Sequence, residues 1–442
     1  MMSRVPRLCL IILGVAGPAL GGLTHGLGVL SPAAVFAQTA EPVLVRVQQE
    51  RQAYLDTLRE LVSIESGSGD SEGLDQIAQL IARRLRALGG DVELVAPPAD
   101  MVRFENTPER TGQSVVARFR GTGTARILLI AHMDTVYPRG MLARQPFRID
   151  GSRAYGLGVA DDKHGVALIL HGVGILQELG FRDYGALTVL INGDEEISSP
   201  GSRTLITQLG SEHDLVLSFE GIGRPDSIQL TTAGIAAVQL KVTGRAAHAG
   251  GAPQQGRNAL YELAHQILQT RDLSNPRTGV KMNWTLASAG SARNVIPAEA
   301  RATADVRVLR AVDYGRIERQ IRDRMRSKSI PGTTVEMVFE RARPPLEATR
   351  AARAVAAHAQ RVYREIGKRL NVQTAASGGG TDAAFAALET HAAVLEGFGL
   401  MGFGAHSDNA EYIEIPSIEP RLYLMTRMIM DVATGAAGDT TN

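Results

Sequence analysis

The chain has 442 residues, of which 44% are hydrophobic and 21% charged, and its formal net charge is +1. That length exceeds one ordinary domain and suggests two, one inserted in the other. A balance this close to neutral leaves no polyanion-binding footprint, which excludes nucleic acid as an expected partner.

At the N-terminus, Arg4 and Arg7 precede the apolar run "LCLIILGVAGPALGGL", and "AVFAQ" offers Val35 and Ala37 around a cleavage point. Residues 1–37 therefore read as a secretory signal. A membrane anchor fits less well, because Gly14, Gly17, Pro18, Gly21, Gly22 and His25 interrupt the stretch, well short of ~20 strongly apolar residues. The expectation is an exported protein, periplasmic or secreted, with no stable membrane anchor once the signal is removed. Losing Arg4 and Arg7 takes the charge from +1 to −1, and the only cysteine, Cys9, leaves with them. The mature chain then has no disulfide, and any metal site must use nitrogen and oxygen ligands.

A helical opening spans Val45 to Ile64, and Leu74, Ile77, Leu80, Ile81, Leu85 and Leu88 continue at helical spacing to a stop at Gly89-Gly90. The runs "SVVARF", "RILLIAHMD", "ALTVLIN" and "DLVLSF" read as buried strands, and "DKHGVALILHGVGILQELG" as a helix between two of them. Near-continuous apolar strands separated by helices predict an α/β fold whose sheet is covered on both faces. From about Gly234 the order is strand "IAAVQLKVTG", helix "NALYELAHQILQT", strands "KMNWTLASAG" and "ARATADVRVL", helix "YGRIERQIRDRMRSK" and strand "TTVEMVFER". This βαββαβ order predicts an inserted ferredoxin-like α+β domain. The expected division is a signal at 1–37, a catalytic domain in two parts at 38–232 and 346–442, and the insertion at 233–345.

Strand ends of the α/β part finish in ligand-type residues. In "LLIAHMDTVYP", His132 and Asp134 lie two apart and project to one side. A histidine can ligate a metal through one ring nitrogen while a carboxylate holds the other, so Asp134 suits an orienting role. Alone, such a pair is more often a surface hydrogen bond. "YGLGVADDKHGVAL" carries Asp161 and Asp162 at a helix start, where N-capping is the bland explanation. "VLINGDEEISSPGS" sets Asp194, Glu195 and Glu196 side by side, "LVLSFEG" puts Glu220 after an apolar strand, and "GFGAHSDNAEYIEI" holds His406 in a glycine-bounded loop.

In open α/β sheets, ligands gather at the carboxyl ends of the strands. Acids collected there need a compensating charge, and no matching cluster of Lys or Arg adjoins them. Carboxylates with imidazoles suit Zn²⁺ or a similar divalent ion, and this many donors are enough for two ions sharing a bridge.

The ordered set "AHMDTV", "GVADDKHG", "GDEEISSPGS", "SFEG" and "AHSDNAEY" resembles the co-catalytic zinc peptidase family of aminoacylases, succinyl-diaminopimelate desuccinylases and glutamate carboxypeptidases. The likeness extends through "GRAAHAGGAP", "NVIPAEARATADVR" and "GGGTDAAFAAL" and is closest to the exported, folate-cleaving carboxypeptidases. It implies two Zn²⁺ per subunit, one held by His132, Glu220 and Asp161, the other by Glu196, His406 and Asp161, with Asp161 as bridge. Glu195 would be the general base, with Asp134 orienting the His132 ring, and His248 an oxyanion-stabilising donor, often supplied by a partner subunit.

Asn294 and Arg307 would hold the substrate's terminal carboxylate, Arg343 is a further candidate for that task, and the loop with Gly380 and Thr381 would bring backbone N–H groups close to the substrate. A solvated linker position is the bland alternative for Arg343. The chain departs from the pattern at Ser227, where a lysine is expected for glutamate recognition, and at His164, expected to narrow the mouth of the site. The resemblance further implies a homodimer through the inserted domain and hydrolysis of an N-acyl amino acid or small peptide before its C-terminal residue, foremost glutamate. The alternatives are an aminoacylase or dipeptidase on the same metals, and a non-catalytic export that binds metal or peptide.

Overall fold

The computed structural model describes residues 32–376, 378–407 and 411–441. The chain divides after Thr39 into two compact units. The expected signal lies outside the described residues except for Pro32–Ala37, which open helix α1 (Pro32–Val62), so the helix starts earlier than the predicted Val45. Among the described residues no helix is long and apolar enough to cross a membrane.

In the unit Ala40–Asn442, α2 (Ser71–Ala87) starts where Asp70 accepts the N–H of Gly73 at 3.1 Å and buries Leu74, Ile77, Ile81 and Leu85, the positions its spacing predicts. Strands β1 (Asp91–Val95), β2 (Ser114–Arg120) and β3 (Arg126–His132) follow, then α3 (Lys163–Glu178), β4 (Ala186–Asn192), α4 (Arg203–Ser211) and β5 (Leu215–Ser218). Next come β6 (Gly234–Thr243), α5 (Ala259–Thr270), β7 (Lys281–Ala289), β8 (Glu299–Val308), α6 (Val312–Met325) and β9 (Thr334–Arg343). Finally α7 (Arg350–Glu365), α8 (Ala383–Ala386), β10 (Ala393–Leu395) and α9 (Ile418–Ala433) close the chain.

The main sheet has the order β1-β2-β4-β3-β5-β10. Its last four strands are parallel, while β1 and β2 join antiparallel, so the sheet is mixed. Alternate residues of β3 point to opposite faces: Ile127, Leu129 and Ala131 enter the larger core with α1, α2, α3, α7 and α9, whereas Leu128 and Ile130 enter a smaller one with α4 and α8. Burial on both faces explains why these strands read as unbroken apolar runs.

The second sheet is antiparallel throughout, with the order β7-β8-β6-β9 and its own core containing Val238, Leu240, Leu263, Ala304, Ile317 and Ile321. Strand β6 alternates buried and half-buried positions along its length, as a sheet packed mainly on one face requires. This is the ferredoxin-like order expected from the sequence.

Candidate metal centre

The parallel strands bring their carboxyl ends to one edge of the main sheet. His132, the last residue of β3, is in register with Asn192, the last of β4. Three residues beyond Asn192 the chain enters a short 3-10 segment, Glu195–Ile197. Glu220 follows the end of β5 and Glu396 the end of β10. Asp161 precedes α3, and His406 sits in the loop between the short strands Gly402–Phe403 and Tyr412–Glu414.

Among the described residues these groups form two clusters, His132 with Glu195 and Glu220, and Asp161 with Glu196 and His406. Within each, one donor atom per residue lies within 4.8 Å of the others. Asp161 faces both: its Oδ1 is 3.0 Å from His132 Nε2 and its Oδ2 is 3.2 Å from His406 Nε2. Glu196 Oε2 is 3.0 Å from the same His406 nitrogen. His406 is exposed and adopts a left-handed φ of 61°, an uncommon conformation in which histidine is over-represented.

The three adjacent acids have three jobs. Asp194 is buried and closes the following loop, accepting the N–H groups of Gly201 (2.6 Å) and Ser202 (3.1 Å) and the Ser202 hydroxyl (2.5 Å). Glu196 turns to His406, and Glu195 toward His132 and Glu220. Asp134, fully buried, accepts the backbone N–H groups of Glu195 (3.0 Å) and Glu196 (3.1 Å) and the Ser68 hydroxyl (2.8 Å), with Oδ1 3.3 Å from His132 Nδ1. One carboxylate thereby orients the imidazole and the acid pair together.

Burial acts to raise Asp161, but hydrogen bonds from His132 and His406 outweigh it and hold the carboxyl well below its usual range. Donating to Asp161 and Glu196 in turn pushes His406 up to about 10. Burial pushes Glu195 up to about 8 against the opposing charge of Arg343, and drives Glu220 well above the carboxylate range. An oxygen and nitrogen donor set this rich in acids, in two adjacent clusters, fits a pair of divalent cations.

Asp162 does not cap α3 through its side chain, so the bland reading of the acid pair fails there. His164 is fully buried behind Glu220, with its ring against Gly221 and Gly399, and therefore does not narrow the mouth of the site as expected. Arg343 is buried too, which corrects the solvated-linker alternative. Its guanidinium donates to Glu195 Oε1, to the Glu195 carbonyl (2.6 Å) and to Asp382 (3.3 Å). In this structure Arg343 therefore meets the candidate base itself.

A cavity of about 360 Å³ opens beside Glu220, bounded by Arg224, Gly379, Gly380, Thr381 and Glu396 among others. Glycine is required at 380 because an added Cβ would lie 2.5 Å from Arg343 Cδ. The Thr381 hydroxyl is spent on Glu396. Arg307, on β8, reaches the carbonyl of Gly378 at 3.1 Å. His248 and Asn294 lie outside both metal clusters, on an exposed two-stranded ribbon in which His248 pairs with Val295. His248 Nδ1 accepts from Gly250 (3.2 Å) and Gly251 (2.9 Å), which leaves the other ring nitrogen as the N–H donor. Ser227 is buried with its hydroxyl on the Pro225 carbonyl at 3.0 Å.

The sequence reading passed over Glu396, Glu411 and Asp382. Glu396 carried the same signal as Glu220, an acid directly after an apolar strand; Glu411 and Asp382 carried none of their own.

A mixed sheet flanked by helices, an inserted antiparallel sheet and a cluster of acids and imidazoles at the strand ends together define a metallohydrolase of the co-catalytic kind. Residues 128–431 match the model for Peptidase family M20/M25/M40, and the chain belongs to that family. It is 42% identical over 402 residues to Carboxypeptidase G2 of Pseudomonas sp. (strain RS-16), covering 90% of this chain and 94% of the relative. Two solved structures share the fold. The M20 family metallo-carboxypeptidase Sso-CP2 of Sulfolobus solfataricus has a TM-score of 0.68 at 17% identity, over 86% of this chain and 99% of that one. The Bacillus subtilis YXEP protein, described as a dinuclear metal binding peptidase, has a TM-score of 0.62 at 14% identity, over 88% and 99%. The chain is thus a hydrolase of the M20 peptidases.

Proposed function

We propose that the protein is a dizinc carboxypeptidase that cleaves the amide bond before a C-terminal amino acid, foremost glutamate, in N-acyl or peptide substrates. The observation that carries this reading is the position of Asp161 between two donor clusters, with Glu195 beside them. The relative named carboxypeptidase and the neighbour described as dinuclear support it. His132, Asp161 and Glu220 would hold one ion, and Asp161, Glu196 and His406 the other. When bound, such ions supply acidification of a water molecule and polarisation of the scissile carbonyl.

The chain's own residues then do the rest. Glu195, whose proton affinity burial has raised, takes the proton of the attacking water and returns it to the nitrogen of the departing amine. Asp134 keeps the base and His132 aligned. Arg343 must leave Glu195 at least in part for the base to work, and a substrate carboxylate is a fitting acceptor for its two-pronged guanidinium. His248 would reach the oxyanion from a partner subunit, in a homodimer paired through the inserted sheet, whose edge strand β7 exposes Leu286. Export through residues 1–37 belongs to the same reading.

A second reading, an aminoacylase or dipeptidase on the same metals, draws on Ser227, where no cation is offered to a glutamate side chain. The test is amino-acid release by zinc-loaded protein from a panel of folate-type, N-acyl and dipeptide substrates. Wild type should turn over and Glu195→Gln should keep both metals while losing about 10²-fold or more in rate. A Glu195→Gln variant at full rate would remove the base from this scheme, and no turnover across the panel would overturn the enzyme reading of this site.

A further inference from the structure

Glu411 is 3% exposed and forms no ion pair among the described residues, yet three donors converge on its carboxylate. Oε1 accepts the N–H of Ala160 at 2.7 Å, and Oε2 accepts the N–H of Gly158 at 2.9 Å and the Tyr137 hydroxyl at 2.6 Å. Its own backbone carbonyl accepts the N–H of Gly156 at 3.4 Å. The Tyr137 oxygen also lies 3.3 Å from the Ser407 carbonyl. These bonds join two segments more than 240 positions apart in sequence: the turn Gly156–Ala160, which ends against Asp161, and the base of the loop that carries His406.

We propose that Glu411 is a positioning residue that locks the Asp161 turn to the His406 loop and so sets the spacing of these two ligands. The inference rests on the two-metal reading above. The ion held by Asp161, Glu196 and His406 draws two ligands from the segments Glu411 ties together. The ion held by His132 and Glu220 draws those two from strand ends that are fixed by the sheet itself. Loss of the tie therefore acts mainly on the first ion. Only a carboxylate accepts from all these donors: an amide in its place turns an NH₂ group toward a backbone N–H or a phenol, and the shorter aspartate cannot span the same gap.

The experiment is zinc binding by the purified full protein, read by metal content after dialysis and by chelator competition, for wild type, Glu411→Gln and Tyr137→Phe. Wild type is expected to bind two ions. Glu411→Gln should keep one at wild-type affinity and bind the other about 10–100-fold more weakly, the usual effect of removing a group that orients a ligand. Tyr137→Phe, which removes one of the three donors to Glu411 and leaves the carboxylate in place, should shift the same ion by less. Far-UV circular dichroism in EDTA should match wild type for both variants, which shows that the fold is kept. Two ions of unchanged affinity in both variants, or an equal weakening of both ions, overturns the inference alone. Should Glu411→Gln fail to fold, a Tyr137→Phe protein with no selective loss does the same. A wild-type protein that binds fewer than two ions overturns the two-metal reading, and this inference with it.

Discussion

Asp134 acts one step behind the candidate ligands, and its effect is calculable from its partners. Its oxygens accept from the N–H groups of Glu195 and Glu196, while Oδ1 faces His132 Nδ1. Asp134→Asn keeps the shape but sets an amide nitrogen against one of these N–H groups and weakens the orienting pull on the imidazole. Zinc affinity measured by competition should fall about 10–100-fold, with a matching fall in turnover at limiting zinc. Wild-type affinity in this variant would show that the bonds are incidental. His132, Asp134, Asp161, Glu195, Glu196 and Glu220 were legible in the sequence because each follows or flanks an apolar run, whereas His406 stands in a glycine-bounded loop and was marked by the family resemblance. The contact of Arg343 with Glu195 was not legible, since it joins residues 148 positions apart and depends on how β9 meets the main sheet. Glu411 stayed hidden for the same reason: nothing local marks an acid whose partners are backbone N–H groups in another segment.

At the scale of the element, β3 is the strand on which the site depends, being paired on both sides and ending in His132. Leu129 is fully buried in its middle, facing the larger core. Leu129→Ala should cost about 2–5 kcal/mol, since neighbours hydrogen-bonded on either side cannot collapse into the space. A urea titration should show a lower midpoint with an unchanged slope; a loss under half a kilocalorie would mean that the core relaxes around the gap. The long parallel strands and the βαββαβ order were readable because burial on two faces and burial on one leave different periodicities. The four short strands Arg148–Asp150, Arg153–Tyr155, Gly402–Phe403 and Tyr412–Glu414 were not, being two or three residues long. They still matter, because the last two bracket the His406 loop and the Phe403 and Tyr412 rings stack with centroids 5.4 Å apart.

For the whole molecule, the site couples stability to metal and to pH. Without cations, His406 is pushed from 6.5 up to about 10 by Asp161 and Glu196. A histidine whose folded value exceeds its unfolded one contributes stability that is complete below about 6.5 and fades as pH rises toward 10. Glu195, raised from 4.5 to about 8 by burial, acts in the same direction: its folded form holds a proton that the unfolded chain has released, so the metal-free protein loses stability as pH rises between those values. Bound cations take over the charge balance that these protons supply, and ligands must shed protons to bind them. Metal binding to the folded state adds about 2.7 kcal/mol at a free concentration one hundred times Kd. The difference in melting temperature between zinc-loaded and EDTA-treated protein should therefore widen steadily from pH 6 to pH 9. Scanning calorimetry or dye-monitored melting at three pH values checks this. A difference that stays constant or narrows with pH would mean that zinc is not replacing protons on His406 and its neighbours, and that the ions, if bound, sit elsewhere.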